Sequence, residues 1–297
     1  MNRKNTFLIG IALLAFLTGF SGIIRHDVPE ESYRNLAQQP QFECVGQVYK
    51  DTQALGSCVF IGDRFLLTAA HLFIESVTIP DTLIAKQYTR ISHTVSSQRV
   101  ASASRFIIVI KGQKLGIKRI TIHPYYLNPL TKGSCDLAVI ELEEPLLKVV
   151  AASTNSFFNE LHSDVAGVGF GVSGIADKPE GVGPHELKIA GENVIDSIGG
   201  MHFKGNETLL YCDFDHPTRT DCNKLGSSTP KPLEYISSGG DSGGGLFRKV
   251  NNNWQLIGIC SGSGIDVNQL LKAGYYGQTM QWTRVSVFKE WITEQIK

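Results

Sequence analysis

The chain has 297 residues, 28 Lys and Arg against 28 Asp and Glu, 42% hydrophobic residues, 30 Gly and 11 Pro. A globular chain of this length buries roughly three quarters of its surface, and its zero net charge offers no basic face to phosphates, which excludes nucleic acid as an expected partner. Gly without a three-residue period excludes collagen and fits tight turns between short strands, so the expected class is all-β.

Arg3 and Lys4 precede an apolar run from Phe7 to Phe20, with the small residues Gly19, Ser21 and Gly22 at its end. This is the pattern of a cleaved export signal, residues 1–22, and it predicts a secreted or periplasmic protein without stable membrane association. Ile23 and Ile24 lengthen the run to about the 18 residues that span a bilayer, so an uncleaved anchor is the alternative. The six cysteines, Cys44, Cys58, Cys135, Cys212, Cys222 and Cys260, permit up to three disulfides in an exported chain. Cys212 with Cys222 is the favoured pair because both lie in polar, loop-like sequence. Cys58 and Cys260, inside apolar runs, also read as buried thiols. No CxxC or HExxH occurs, so no metal site is expected.

Downstream, runs of β-branched and apolar residues alternate with Gly, Asn, Asp or Ser. They include Cys58 to Ile61, Phe65 to Thr68, Phe106 to Ile110, Ile117 to Ile122, Leu137 to Leu142 and Leu256 to Cys260. The first two flank Gly62-Asp63, a two-residue hairpin signal. Glu75 to Ser104 and Asp213 to Pro232 are polar and predict surface insertions. Asn206-Glu207-Thr208 matches a glycosylation acceptor, relevant only in a eukaryotic secretory pathway. Phe288, Trp291, Ile292 and Ile296 recur at three- and four-residue steps, the stripe of a short helix packed on a barrel.

Three short motifs carry chemistry. Gly240-Asp241-Ser242-Gly243-Gly244 places a hydroxyl among residues whose backbone can turn sharply and aim N–H groups at one point; alone it is also a Gly-rich turn. Leu67-Thr68-Ala69-Ala70-His71 leaves an imidazole at a strand end, where a lone His is usually structural. In Asp136-Leu137-Ala138-Val139-Ile140-Glu141-Leu142 a carboxylate stands before an apolar run and needs a partner if it enters the interior.

In the order His, Asp, Ser, these motifs resemble the trypsin/chymotrypsin-like serine protease family, and the order separates it from subtilisin-like and α/β-hydrolase enzymes. The resemblance runs from about Ile23 to the C-terminus and takes in Val165 to Gly169, Ile257 to Gly262, Trp282 to Val285 and the closing helix. It looks closest to bacterial secreted members. It implies Ser242 as nucleophile, His71 as general base and acid, and Asp136 as the group that fixes the imidazole. The N–H groups of Gly240 and Ser242 would form the oxyanion hole. Ser261 would support Asp136 or pair with substrate backbone, and Ile23, freed by cleavage after Gly22, would give Asp241 an ammonium partner.

Leu72, Ser238 and Gly245 depart from the family pattern, the first two where Cys is usual, so the usual disulfide set is absent. Ile236 falls at the base of the specificity pocket, which disfavours cleavage after Arg or Lys and favours apolar side chains, with Gly262 and Met280 as walls. Lys231 and Arg284 are the alternative, an attraction for acidic side chains, or else solvated surface charges. The expected architecture is two six-stranded antiparallel β-barrels with a C-terminal helix: residues 23–150 carrying His71 and Asp136, and residues 151–297 carrying Ser242. The expected function is a monomeric serine endopeptidase acting on proteins or peptides, with no metal or organic cofactor. The alternative is a catalytically inactive binding module on the same fold.

Overall fold

Apolar runs too short for helices and broken by turn residues pair as antiparallel strands. The computed structural model describes residues 22–80, 94–128, 134–172, 174–177, 187–264 and 275–297. After β1 (Ile23–Ile24) comes helix α1 (Glu30–Ala37), whose first turn carries Glu30 and Glu31, the charge its dipole favours there. Strands β2 (Val45–Lys50), β3 (Gln53–Gly62) and β4 (Phe65–Thr68) lead into a hairpin of β5 (Ile74–Pro80) and β6 (Thr94–Val100). Strands β7 (Phe106–Ile110), β8 (Gln113–Ile122) and β9 (Ala138–Leu142) then close a six-stranded barrel in the order β2-β3-β4-β9-β8-β7. Val48, Val59, Leu66, Ile108 and Ile140 are fully buried in its core, each worth about 1.5–3 kcal/mol relative to exposure.

The second half contains β10 (Ser153–Thr154), β11 (Asp164–Gly169), β12 (Gly174–Ile175), β13 (Ile189–Val194), β14 (Ser197–Phe203) and β15 (Asn206–Asp213). It continues with β16 (Tyr235–Ile236), β17 (Gly245–Val250), β18 (Asn253–Gly264), β19 (Thr279–Arg284) and helix α2 (Lys289–Gln295). Its main sheet runs β13-β11-β17-β18-β19-β15-β14, with β10 added beside β18, so eight strands stand where six were expected. The class is all-β with a short C-terminal helix, as expected. Phe288 and Ile292 bury the apolar stripe of that helix region in the core shared with the first barrel. Although β1 and α1 precede the first barrel in sequence, they pack on the second half: β1 lies between β12 and β16, and Ile23, Ile24 and Tyr33 join its core.

Several local expectations change. The first hairpin turns at Asp63 and Arg64, one residue later than Gly62-Asp63, because Gly62 pairs with Phe65 and Asp63 takes the positive φ of 49°. The insertion at 75–104 is a β-hairpin in its described parts; residues 81–93 lie outside the described residues, as does the expected export signal up to residue 21. Residues 214–234 connect β15 to β16 without forming a strand or α-helix of their own.

All six cysteines are free thiols. The Cys212–Cys222 pair does not form because Cys212 is sealed in the core beside Met280, while Cys222 Sγ donates to Arg219 O in the following loop. No described helix is long and apolar enough to cross a membrane.

Candidate active site

The register of the first barrel brings His71 to Asp136. β4 and β9 pair with Thr68 opposite Ala138, so the residues just after β4 face those just before β9. The His71 N–H donates to Asp136 Oδ1 at 2.9 Å, and the imidazole Nδ1 lies 2.6 Å from Oδ2. A carboxylate only accepts, so this contact places the proton on Nδ1 and leaves Nε2 as the basic nitrogen. The Asp136 side chain is 6% exposed and that of His71 34%, so the pair has one protected and one accessible end. From the second half, Thr283 Oγ1 donates to Asp136 O at 3.0 Å.

Ser242 belongs to the loop between β16 and β17. Gly243 and Cys260 tie this loop to β18: Gly243 N–H donates to Cys260 O at 2.8 Å, and Cys260 N–H to Gly244 O at 2.9 Å. Gly243 has φ +84°, and a Cβ there would stand 2.1 Å from Ser57 O, so no other residue fits. The Ser242 carbonyl and the Leu72 side chain both converge on Gly56 of β3, which brings the serine loop against the residue that follows His71. Gly240 has φ +94°. Among the described residues, neither the Gly240 nor the Ser242 amide has an acceptor within the protein, and both residues are half-buried.

Asp241 is buried beneath this loop. Its carboxylate accepts from Gly171 N–H and Ser238 N–H, each at 3.0 Å, and from the backbone N–H of Gly22. Burial pushes its pKa up to about 6 against these donors. The amide facing it is therefore that of Gly22, one residue before the expected Ile23, whose side chain is 1% exposed in β1 opposite Ile236. Sequence alone does not reveal Gly22 as a partner, because a two-residue strand has no pattern to fix its register.

Ile236 is buried, and the next amide, Ser237 N–H, donates to the sulfur of Met280 at 3.4 Å. Ser261, expected to support Asp136 or to pair with substrate backbone, sits at a bulge where β18 slips against β19, and its hydroxyl donates to Gln281 O at 3.3 Å. Gly262 pairs with Gln281. Neither basic candidate for an acidic side chain is available: Lys231 is ion-paired to Asp164, and Arg284 is buried and holds Glu160 at 2.6 Å.

A concavity of about 770 Å³ lies elsewhere. Leu36, Asp164, Glu192, Lys231 and Trp254 help to line it, and none of His71, Asp136 and Ser242 does. No group of three or more metal-ligating side chains occurs among the described residues. Compared with known protein families, the chain matches the Trypsin family model over residues 34–292, most of its length.

Proposed function

Because the chain belongs to the trypsin family, and so to the serine protease hydrolases, we propose that it is a secreted endopeptidase in which His71, Asp136 and Ser242 form the catalytic triad. The observation that carries this reading is the two-point contact of His71 with Asp136, which fixes both the position and the tautomer of the imidazole. Ser242 Oγ attacks the scissile carbonyl while His71 Nε2 takes its proton and later passes it to the leaving amine. Asp136 stabilises the imidazolium that forms between these steps. The amides of Gly240 and Ser242 receive the developing oxyanion, each such donor contributing about 3 kcal/mol or more. Water then resolves the acyl-enzyme by the same proton route.

The substrate side chain meets a pocket floored by Ile236 and narrowed by Met280, a lining that favours small apolar groups over Arg or Lys. Asp241 is the switch: removal of residues 1–21 replaces the Gly22 amide with an ammonium and gives the buried carboxylate an ionic partner. The apolar run that ends at Phe20 supports export as the event that makes this cut.

A fluorophosphonate probe tests the assignment. The parent protein labels at Ser242, and Ser242→Ala abolishes labelling and lowers kcat by about 10⁴ to 10⁶ while the circular dichroism spectrum is retained. A folded, correctly processed parent that stays unlabelled makes the chain a binding module instead.

A further inference from the structure

Ser57 lies in β3, where the first barrel meets the serine loop, and it is completely buried. Each of its hydrogen-bonding groups is used. Its Oγ donates to Gly240 O at 2.9 Å and accepts from Phe170 N–H at 2.9 Å. Its N–H donates to Ser242 O at 2.7 Å, and its carbonyl accepts from Thr68 Oγ1 at 2.7 Å. One residue of the first barrel thus grips both carbonyls that bracket Asp241 in the second half.

The geometry makes this grip matter for chemistry. The peptide joining Gly240 to Asp241 is held at both ends, its oxygen by Ser57 Oγ and its N–H by Ser238 O at 3.0 Å. Gly240 itself stands at φ +94°, in a region open to glycine, where no Cβ restrains rotation. Its N–H belongs to the preceding peptide, whose oxygen accepts from Val172 N–H at a long 3.4 Å, so the hold on Gly240 from the other side matters, and the hydroxyl of Ser57 is the one side-chain hydrogen bond on its carbonyl among the described residues. Resting on the triad reading above, we infer that Ser57 is a positioning residue: its hydroxyl holds the peptide after Gly240 so that the Gly240 and Ser242 amides point at one site.

Without that hydroxyl, Gly240 O and Phe170 N–H lose their partner inside the protein, and the cheapest relief is a rotation of the Gly240–Asp241 peptide, which unpins Gly240 and so loosens the preceding peptide that carries its N–H. Losing an oxyanion donor outright costs about 10²- to 10³-fold in kcat, so loosening one predicts a loss of about 10- to 100-fold.

The test uses the processed protein as Ser57→Ala. The expected result is a kcat lower by about 10- to 100-fold with KM within about twofold, and a peptide boronic acid inhibitor, which mimics the tetrahedral intermediate, weakened in the same proportion. A kcat within about threefold of the parent overturns the inference. So does a loss of kcat with boronate affinity unchanged. Should the Ala variant fail to accumulate as folded protein, Ser57→Cys, similar in size but a weaker donor, is expected to show the same kcat-selective loss; parental kcat in that variant overturns the inference as well. Fluorophosphonate labelling separates the two levels: an unlabelled parent removes the triad reading, whereas a labelled parent matched in rate by Ser57→Ala removes only the role of Ser57.

Discussion

At the scale of single residues, Met280 bears most on what the proposed enzyme cleaves. It is fully buried in β19, and its sulfur accepts from the amide that follows Ile236. A thioether fills irregular space well, so on the proposed reading it occupies volume that a large substrate side chain would need. Met280→Ala removes three heavy atoms and is expected to cost about 2–5 kcal/mol of stability. The vacated space should admit an aromatic side chain, and with each buried methylene contributing about 0.8 kcal/mol, the ratio of kcat/KM for Phe over Ala at P1 should rise by about 10- to 100-fold. Chromogenic peptides differing only at that position measure the ratio; a ratio unmoved by the substitution places Met280 outside the pocket.

At the scale of elements, the short strand β1 sets which backbone amide meets Asp241. Its register, Ile23 opposite Gly174 and Ile236, carries the Gly22 amide to Asp241. An ammonium at Gly22 would convert a contact in which only the carboxylate is charged into an ion pair, and separating such a buried pair costs about 3–5 kcal/mol. Protein produced with Gly22 as its first residue is therefore expected to label at Ser242 at least about tenfold faster than protein beginning at Ile23. Equal rates would show that the amide position has no part in activation. What the sequence discloses here depends on distance along the chain. His71, Asp136 and Ser242 each announce themselves through neighbours within six residues, and the barrel strands through apolar runs. The bond from Ser57 to Gly240 spans 183 positions, and only the folded β3 reveals it. The β5–β6 hairpin was hidden for a related reason: its polar sequence gives no inward-facing stripe. It is instead anchored at its root by Glu75, which is ion-paired to Lys50 at 2.9 Å and to Arg105.

At the scale of the whole molecule, the zero net charge conceals a segregation of acidic groups. Burial, reinforced by mutual repulsion, pushes Asp215 to about 7 and Asp196 to about 6. Burial likewise pushes Glu234 to about 8 and Asp241 to about 6, and it raises Asp213. In each case the folded state holds the proton more tightly than the unfolded chain. Their contribution to stability is therefore complete below the unfolded values of 3.8 and 4.5 and is lost as pH rises through the folded ones. His123 works in the other direction: burial lowers it to about 4, so its contribution is present above 6.5 and lost as pH falls. Carboxylates lowered by hydrogen bonds to Arg or Lys, such as exposed Asp51 and Glu141 in β9, lose their contribution only as pH falls below about 4.5, outside this range. His216 is lowered as well, also chiefly by burial; several carboxyls outweigh these two imidazoles, so the thermal midpoint should be higher at pH 5.5 than at pH 8. Scanning calorimetry at constant ionic strength, on the Ser242→Ala protein to prevent self-digestion, measures the slope. Glu234→Gln, which has no proton to lose, should flatten it. A midpoint that rises steadily from pH 5.5 to 8 would mean that these carboxyls are already ionised in the folded protein, with water or cations replacing the solvation that burial removes.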